Sequence, residues 1–242
     1  MSHRLNQAAL ATLPPDVIRP GYDRAGTRIG IVHIGGGAFH RAHQAVYVDD
    51  VLASEPDWAI CGVSLNSRDV RDALQPQDGL YALALLGQNA SLRVIGSIRE
   101  LLFAREQRDE VLRRLADPLV RIVTLTITEK GYCLARGDLD LAHPEIVRDL
   151  ASPDAPNGAI GYLVAGLAAR RRLRLPPFTV LSCDNLPENG RKLARAVVQY
   201  AWKLDPELAR WIEAEVAFPC SMVDSITPAT DDALRERVDA QL

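Results

Sequence analysis

The run Arg28–Leu52, RIGIVHIGGGAFHRAHQAVYVDDVL, constrains the fold more than any other stretch of the chain. Ile29, Ile31, Val32 and Ile34 make a short apolar run that stops at Gly35-Gly36-Gly37. Beyond the glycines, apolar residues return at helical spacing (Ala38, Ala42, Ala45, Val46), with Asp49 and Asp50 on the opposite, wet face. A buried strand, a glycine turn and a helix in that order point to a dinucleotide site. Glycines let the backbone turn tightly and approach a diphosphate, and first-turn N–H groups present partial positive charge to it. The sixth position from Gly35 is His40 rather than glycine or alanine, so the fingerprint is incomplete. The plainer alternative is a glycine turn needed only for close strand–helix packing.

The rest of the chain carries the pattern on. Residues 1–27 read as an N-terminal arm, helical from Leu5 to Leu13 and then irregular through Pro14, Pro15, Pro20 and Gly21. Residues 28–242 read as one dinucleotide-binding domain. A second strand spans Trp58 to Leu65, and Ser67 caps a short helix through Leu74. Leu80 to Leu86 and Leu92 to Ile98, separated by Gly87-Gln88-Asn89-Ala90, predict a β-hairpin. An amphipathic helix over 105–116 buries Val111, Leu112 and Leu115, and a β-branched strand runs from Leu119 to Thr128. A helix from Ile160 to Leu173, a strand from Phe178 to Asn185, and helices from Pro187 to about Leu204 and Pro206 to about Ala217 complete the series. Strands alternating with helices predict an α/β fold, a doubly wound, mostly parallel sheet of Rossmann type with a β-hairpin excursion. Ligands of such sheets sit beyond the carboxyl ends of the strands, where the polar clusters fall: Gly35–Gly37, Ser64–Asp69, Thr128–Tyr132 and Asp184–Asn185.

The net charge of −3, with no basic block, argues against a nucleic-acid or anionic-membrane partner. No apolar run reaches membrane-spanning length, and the N-terminus lacks the layout of a signal peptide. Cys61, Cys133, Cys183 and Cys220 form no C-x-x-C pair, so they read as reduced thiols in a cytoplasmic protein with no metal site. The lysines are few: Lys130, Lys192 and Lys203.

Arg41, in the first turn of the opening helix, can offer a planar guanidinium to phosphate oxygens. His40 and His43 are read as local hydrogen-bonding residues in preference to a metal pair. At the end of the second strand an acidic residue favours NAD and an arginine NADP. The segment Ser64-Leu65-Asn66-Ser67-Arg68-Asp69 carries both, and Asp69 tips the reading to NAD with NADP open. Thr128 and Glu129 stand where the coenzyme would pass, and Glu129 with Lys130 is either an acid/base pair or a surface ion pair. Asn185 can hydrogen-bond a substrate oxygen, or Asp184-Asn185 is a simple turn. Asp224 lies in FPCSMVDSITP, a segment whose apolar character predicts a buried carboxylate with a partner or a task.

Taken together, IVHIGGGAFHRAHQAVYVDD, QDGLYAL, TLTITEKGY, LSCDNLPENG and FPCSMVDSITPAT resemble the polyol-specific long-chain dehydrogenase/reductase family, which includes mannitol 2-dehydrogenase and fructuronate reductase. The resemblance runs from about residue 28 to the C-terminus. It implies a Rossmann domain, an NAD(P) cofactor, and metal-independent hydride transfer between a polyol carbon and the nicotinamide. It implies that Gly35, Gly36, Gly37, Ala38 and Phe39 form the diphosphate loop, with Asp69 near the adenosine ribose. Asn185 then matches the family's hydrogen-bonding asparagine, and Asp224 a carboxylate contacting polyol hydroxyls. Ser225 stands where the family signature has arginine. The family's general base is a lysine of a following helical domain, in a Lys-x4-Asn-x2-His pattern that the three lysines here do not match. The expectation is therefore a cofactor-binding part whose partner catalytic domain is missing from this chain. Mannitol/fructose stands ahead of mannonate/fructuronate as substrate pair; the alternatives are a stand-alone, non-catalytic nucleotide-binding module and a Rossmann-like methyltransferase, whose cofactor carries no diphosphate.

Overall fold

The structure, a computed structural model, describes residues 4–87 and 90–241. In chain order the elements are β1 (Ile29–Ile34), α1 (Ala38–Ala42), α2 (Gln44–Val51), β2 (Ala59–Ser64), α3 (Asp69–Leu74), β3 (Tyr81–Leu85), β4 (Ser91–Ile95), β5 (Ile98–Phe103) and α4 (Arg108–Leu115). There follow β6 (Ile122–Leu125), the small β7 (Leu134–Ala135) and β8 (Asp138–Leu139), α5 (Pro144–Ala151), α6 (Ala159–Arg172), β9 (Thr179–Ser182), α7 (Asn189–Leu204), α8 (Pro206–Glu215) and α9 (Asp232–Asp239).

Five strands form one parallel sheet in the order β5-β2-β1-β6-β9. The chain builds outward from β1 through β2 to β5, then returns to the other side of β1 for β6 and β9. That reversal leaves a crevice between the carboxyl ends of β1 and β6, the position at which open α/β sheets bind ligands. The Rossmann-type expectation is met. The strands are short continuous apolar runs because helices cover both faces. Val32 and Ile34 of β1, Val123 and Leu125 of β6, and Leu163 and Leu167 of α6 are wholly buried in one cluster. Each such side chain contributes about 1.5–3 kcal/mol relative to exposure.

Four local expectations need correction. The hairpin is present, β3 against β4, although Gln88 and Asn89 of its turn lie outside the described residues. Its second strand ends at Ile95, and the following IRELLF becomes β5, a parallel edge strand beside β2. Arg99 and Glu100 disguise it in the sequence, yet an edge strand tolerates them, and Glu100 is ion-paired to Arg114 at 2.8 Å. The opening helix is broken at His43 (φ −126°, ψ −81°) into α1 and α2. Asp49 is buried rather than wet, accepting from Tyr22 Oη at 2.5 Å, Arg93 Nη2 at 2.7 Å and the Gly96 N–H at 2.9 Å. This carboxylate ties the arm, the second helix and the corner between β4 and β5 together. Finally, the Leu5–Leu13 helix reduces to one 3₁₀ turn at Ala9–Thr12. Leu5, Leu13 and Val17 are held instead by packing on Leu80, Leu92 and Val94 of the hairpin region.

Candidate functional site

The glycine turn closes on the end of β1. Gly35 has φ +99°, and a Cβ there would lie 2.2 Å from the Thr126 carbonyl oxygen, so both backbone angle and space require glycine. Its N–H donates to Val63 O at 2.9 Å, and the Gly37 N–H folds back to Gly35 O at 2.6 Å. The outer side of the turn is open. A Cβ on Gly36 would meet nothing nearer than 3.8 Å, and one on Gly37 nothing nearer than 3.9 Å. Gly37 opens α1 in extended conformation, so the N–H groups of Ala38 and Phe39 precede any helical carbonyl that could accept them. An uncluttered backbone with unused donors fits a diphosphate. Arg41, expected on the phosphates, donates through Nη1 to Gly36 O at 2.6 Å and braces the turn from behind.

Two histidines lie beneath the turn. His33 Nε2 stands 3.0 Å from Gly35 O, and Nδ1 stands 2.7 Å from Thr124 Oγ1. A carbonyl can only accept, so Nε2 carries the proton and the Thr124 hydroxyl donates to Nδ1. Thr126 Oγ1 adds a second side-chain donor to the same carbonyl at 2.5 Å. The His40 ring stacks on His33 at 3.4 Å with 9° between planes, and its Nδ1 donates to Gln44 Oε1 at 2.8 Å. Burial, foremost, holds both rings neutral. It pushes His33 well below the usual histidine range, with His40 adding to the effect, and His40 to about 4 against the opposing Gln44 bond. His43 Nδ1 donates to Phe39 O at 2.8 Å, the local bonding expected of it. Among the described residues no cluster of metal-ligating side chains occurs.

The other strand ends supply the remaining wall. Beyond β2, Asn66 accepts from Arg105 at 3.0 Å, and Asp69 is exposed at the start of α3, its N–H taken by Ser67 Oγ at 3.0 Å. Arg68 points to Glu106 at 3.5 Å and Asp72 at 3.8 Å. Beyond β6, Thr128, Glu129 and Lys130 are all exposed, and no ion pair joins Glu129 to Lys130 among the described residues. Beyond β9, Asn185 sits exposed on the turn to α7.

Asp224 is exposed, which corrects the expectation of a buried carboxylate. Its segment has no regular structure, and two of its apolar side chains face outward, Met222 at 90% and Ile226 at 87% exposed, while Phe218 packs against the core. The segment is nevertheless anchored. Buried Asn189 donates to Ser221 Oγ at 2.9 Å and accepts the Ser221 N–H at 3.0 Å, fixing where the chain crosses the end of β9. Asp224 and Phe39 thereby line one cleft of about 280 Å³ with His43, Gln44, Tyr47 and Cys183. Asn185 lies outside that lining.

The mannitol dehydrogenase Rossmann-domain family model matches residues 29–241. The chain belongs to the mannitol dehydrogenase family. Among its relatives, D-mannonate oxidoreductase of Escherichia coli is 47% identical over 232 residues, covering 92% of this chain and 48% of that protein. Mannitol 2-dehydrogenase of Cereibacter sphaeroides is 47% identical over 228 residues, covering 91% and 47%. Among solved structures, the Pseudomonas fluorescens mannitol 2-dehydrogenase ternary complex with NAD and D-mannitol superposes with a TM-score of 0.94 at 44% identity, covering 99% of this chain and 50% of that one. The chain thus spans about half the length of the relatives it matches.

Within this family framework, sequence reasoning missed the layer under the site: His33 and Asn189 were not singled out, and Asp184 was read only as a strand-end polar residue or turn. A polar residue inside an apolar strand, as His33 is in IGIVHI, signals a buried hydrogen-bonding duty. That signal was available for His33, but nothing in the spacing named its partners.

Proposed function

We propose that this chain is the coenzyme-binding part of an NAD-dependent oxidoreductase that interconverts a polyol and a ketose, with mannitol and fructose as the leading pair. The observation that carries the reading is the open glycine turn, with its unused first-turn N–H groups, at the switch point between β1 and β6. NAD, when bound, supplies the hydride acceptor for alcohol oxidation. Gly35, Gly36, Gly37, Ala38 and Phe39 hold the diphosphate, and Arg41 stiffens their turn. Asn66 and Asp69 meet the adenosine ribose, and the exposed Asp69 carboxylate favours the free 2′-hydroxyl of NAD over the 2′-phosphate of NADP. Thr128 and Glu129 flank the nicotinamide half. Asn185 donates an amide N–H to the reacting oxygen, and Asp224 accepts from polyol hydroxyls.

Alcohol oxidation also needs a group that takes the hydroxyl proton as hydride leaves. Lys130, Lys192 and Lys203 stand apart from the cleft lined by Asp224. We therefore assign the proton acceptor to a second domain, a partner that the roughly doubled length of the relatives supports. The outward-facing Met222 and Ile226 beside the cleft are surfaces such a domain would cover. The test pairs calorimetry of NAD and NADP on this chain with turnover assays of a longer gene product on mannitol, arabinitol, sorbitol and fructuronate. NAD binding by the chain and mannitol oxidation only by the longer product are the expected results. No dinucleotide binding by either protein overturns the coenzyme reading, and faster fructuronate than mannitol turnover replaces the substrate.

A further inference from the structure

The turn after β6 is held in a conformation its sequence resists. Thr128 has φ 66° and ψ 161°, a region open in practice to glycine alone, and a β-branched side chain makes it worse. Locally, only the plane after it is held, where the Thr128 carbonyl accepts the Gly131 N–H at 3.0 Å. The reason comes from the end of the neighbouring strand, β9. One Asp184 carboxylate oxygen accepts the Thr128 N–H at 2.9 Å. The other accepts the Ile127 N–H at 3.0 Å and the Tyr132 hydroxyl at 2.6 Å. Tyr132 is buried and also bonds Ser182 Oγ at 2.6 Å, so the clamp is fixed on the sheet itself. Three donors on one carboxylate fix both peptide planes leading into Thr128. The same turn touches the glycine loop, through the Thr126 hydroxyl on Gly35 O.

We propose that Asp184 is a positioning residue: by clamping Ile127, Thr128 and Tyr132 it holds Thr128 and Glu129 in a strained turn that forms the nicotinamide-side wall of the coenzyme crevice. The proposal rests on the coenzyme reading above and extends it to a residue that touches no ligand. Without the clamp, Thr128 relaxes to ordinary extended backbone, the two peptide planes rotate, and that wall is lost. The wall on the β2 side, which serves the adenosine half, is untouched. Glycine at 128 pays no penalty at positive φ and keeps the turn without the clamp, whereas alanine does not.

The test uses this chain with Asp184→Asn, Thr128→Gly, Thr128→Ala and the two double variants, read by calorimetry with NAD and with ADP and by thermal melting. Asp184→Asn is expected to raise the Kd for NAD about tenfold or more and to leave that for ADP within about threefold. Asp184→Asn/Thr128→Gly recovers most of the NAD affinity, and Asp184→Asn/Thr128→Ala does not. Equal rescue by glycine and alanine, or an unchanged NAD Kd in Asp184→Asn, overturns the proposal. Should Asp184→Asn fail to fold, Tyr132→Phe removes one donor of three and gives the same NAD-over-ADP split at smaller size, and no split overturns the proposal. Melting decides the clamp without any nucleotide. Thr128→Gly is expected to melt about 3 °C above Thr128→Ala, and the gap to vanish when Asp184 is asparagine. A gap of equal size in both backgrounds refutes the clamp even where NAD binds; no NAD binding with a vanishing gap defeats the coenzyme reading and leaves the clamp standing.

Discussion

Acid should loosen the layer beneath the glycine turn, and His40 makes the effect measurable. Its imidazole, 1% exposed, stacks on a second buried imidazole and holds its pKa near 4 against the ordinary 6.5. The folded state therefore refuses a proton that the unfolded chain accepts, and stability falls as pH drops through that window. At pH 7.5 both states are neutral and the contribution is full. At pH 5.5 the unfolded histidine is mostly protonated and the folded one is not, which costs about 1.4 kcal/mol; at pH 4.5 the loss reaches about 2.5 kcal/mol. His40→Gln keeps a polar contact to Gln44 but cannot titrate. Urea unfolding of wild type and His40→Gln at pH 7.5, 6.5, 5.5 and 4.5 reads the contribution of the stacked pair as the difference between the two stability curves. The wild-type advantage should shrink by about 1.4 kcal/mol between pH 7.5 and 5.5. Parallel curves for the two proteins would refute the buried neutral stack.

The glycine turn separates structural from binding roles. Gly35→Ala, which forces a methyl against the Thr126 carbonyl at positive φ, should cost about 3 kcal/mol or more in urea unfolding. Gly37→Ala should change stability by no more than about 0.5 kcal/mol yet weaken NAD binding in calorimetry, since the methyl enters the open face of the turn. Asp49→Ala should lose about 2–4 kcal/mol, because the buried Gly96 N–H and Tyr22 hydroxyl forfeit their acceptor. A near-neutral result would mean that Asp50, 2.6 Å from Arg93, carries the anchoring of this corner.

Much of the fold was legible because its signals are local. Apolar runs of strand length, a glycine triplet and proline-opened helices each follow from a few consecutive residues, and β1, β2, β6, β9, α6, α7 and α8 fall where those signals lie. Expectation failed where the deciding partner is far along the chain. Asp49 looked solvated beside Asp50 and became the anchor for Tyr22, Arg93 and Gly96. IRELLF did not read as a strand and became the edge of the sheet. Asp224 looked buried because its neighbours are apolar, but Met222 and Ile226 are left uncovered among the described residues.

By itself the sequence determined that a parallel α/β sheet would form and that a glycine turn would stand at the end of its first strand. Both depend on residue size, backbone freedom and hydrophobic period, which are properties of short segments. Tertiary structure alone decided which polar side chains work behind that turn. His33 meets Thr124 across 91 residues, and Asp184 meets Thr128 across 56. Such pairings depend on which strands become neighbours, and strand order emerges only when the whole sheet buries its two faces.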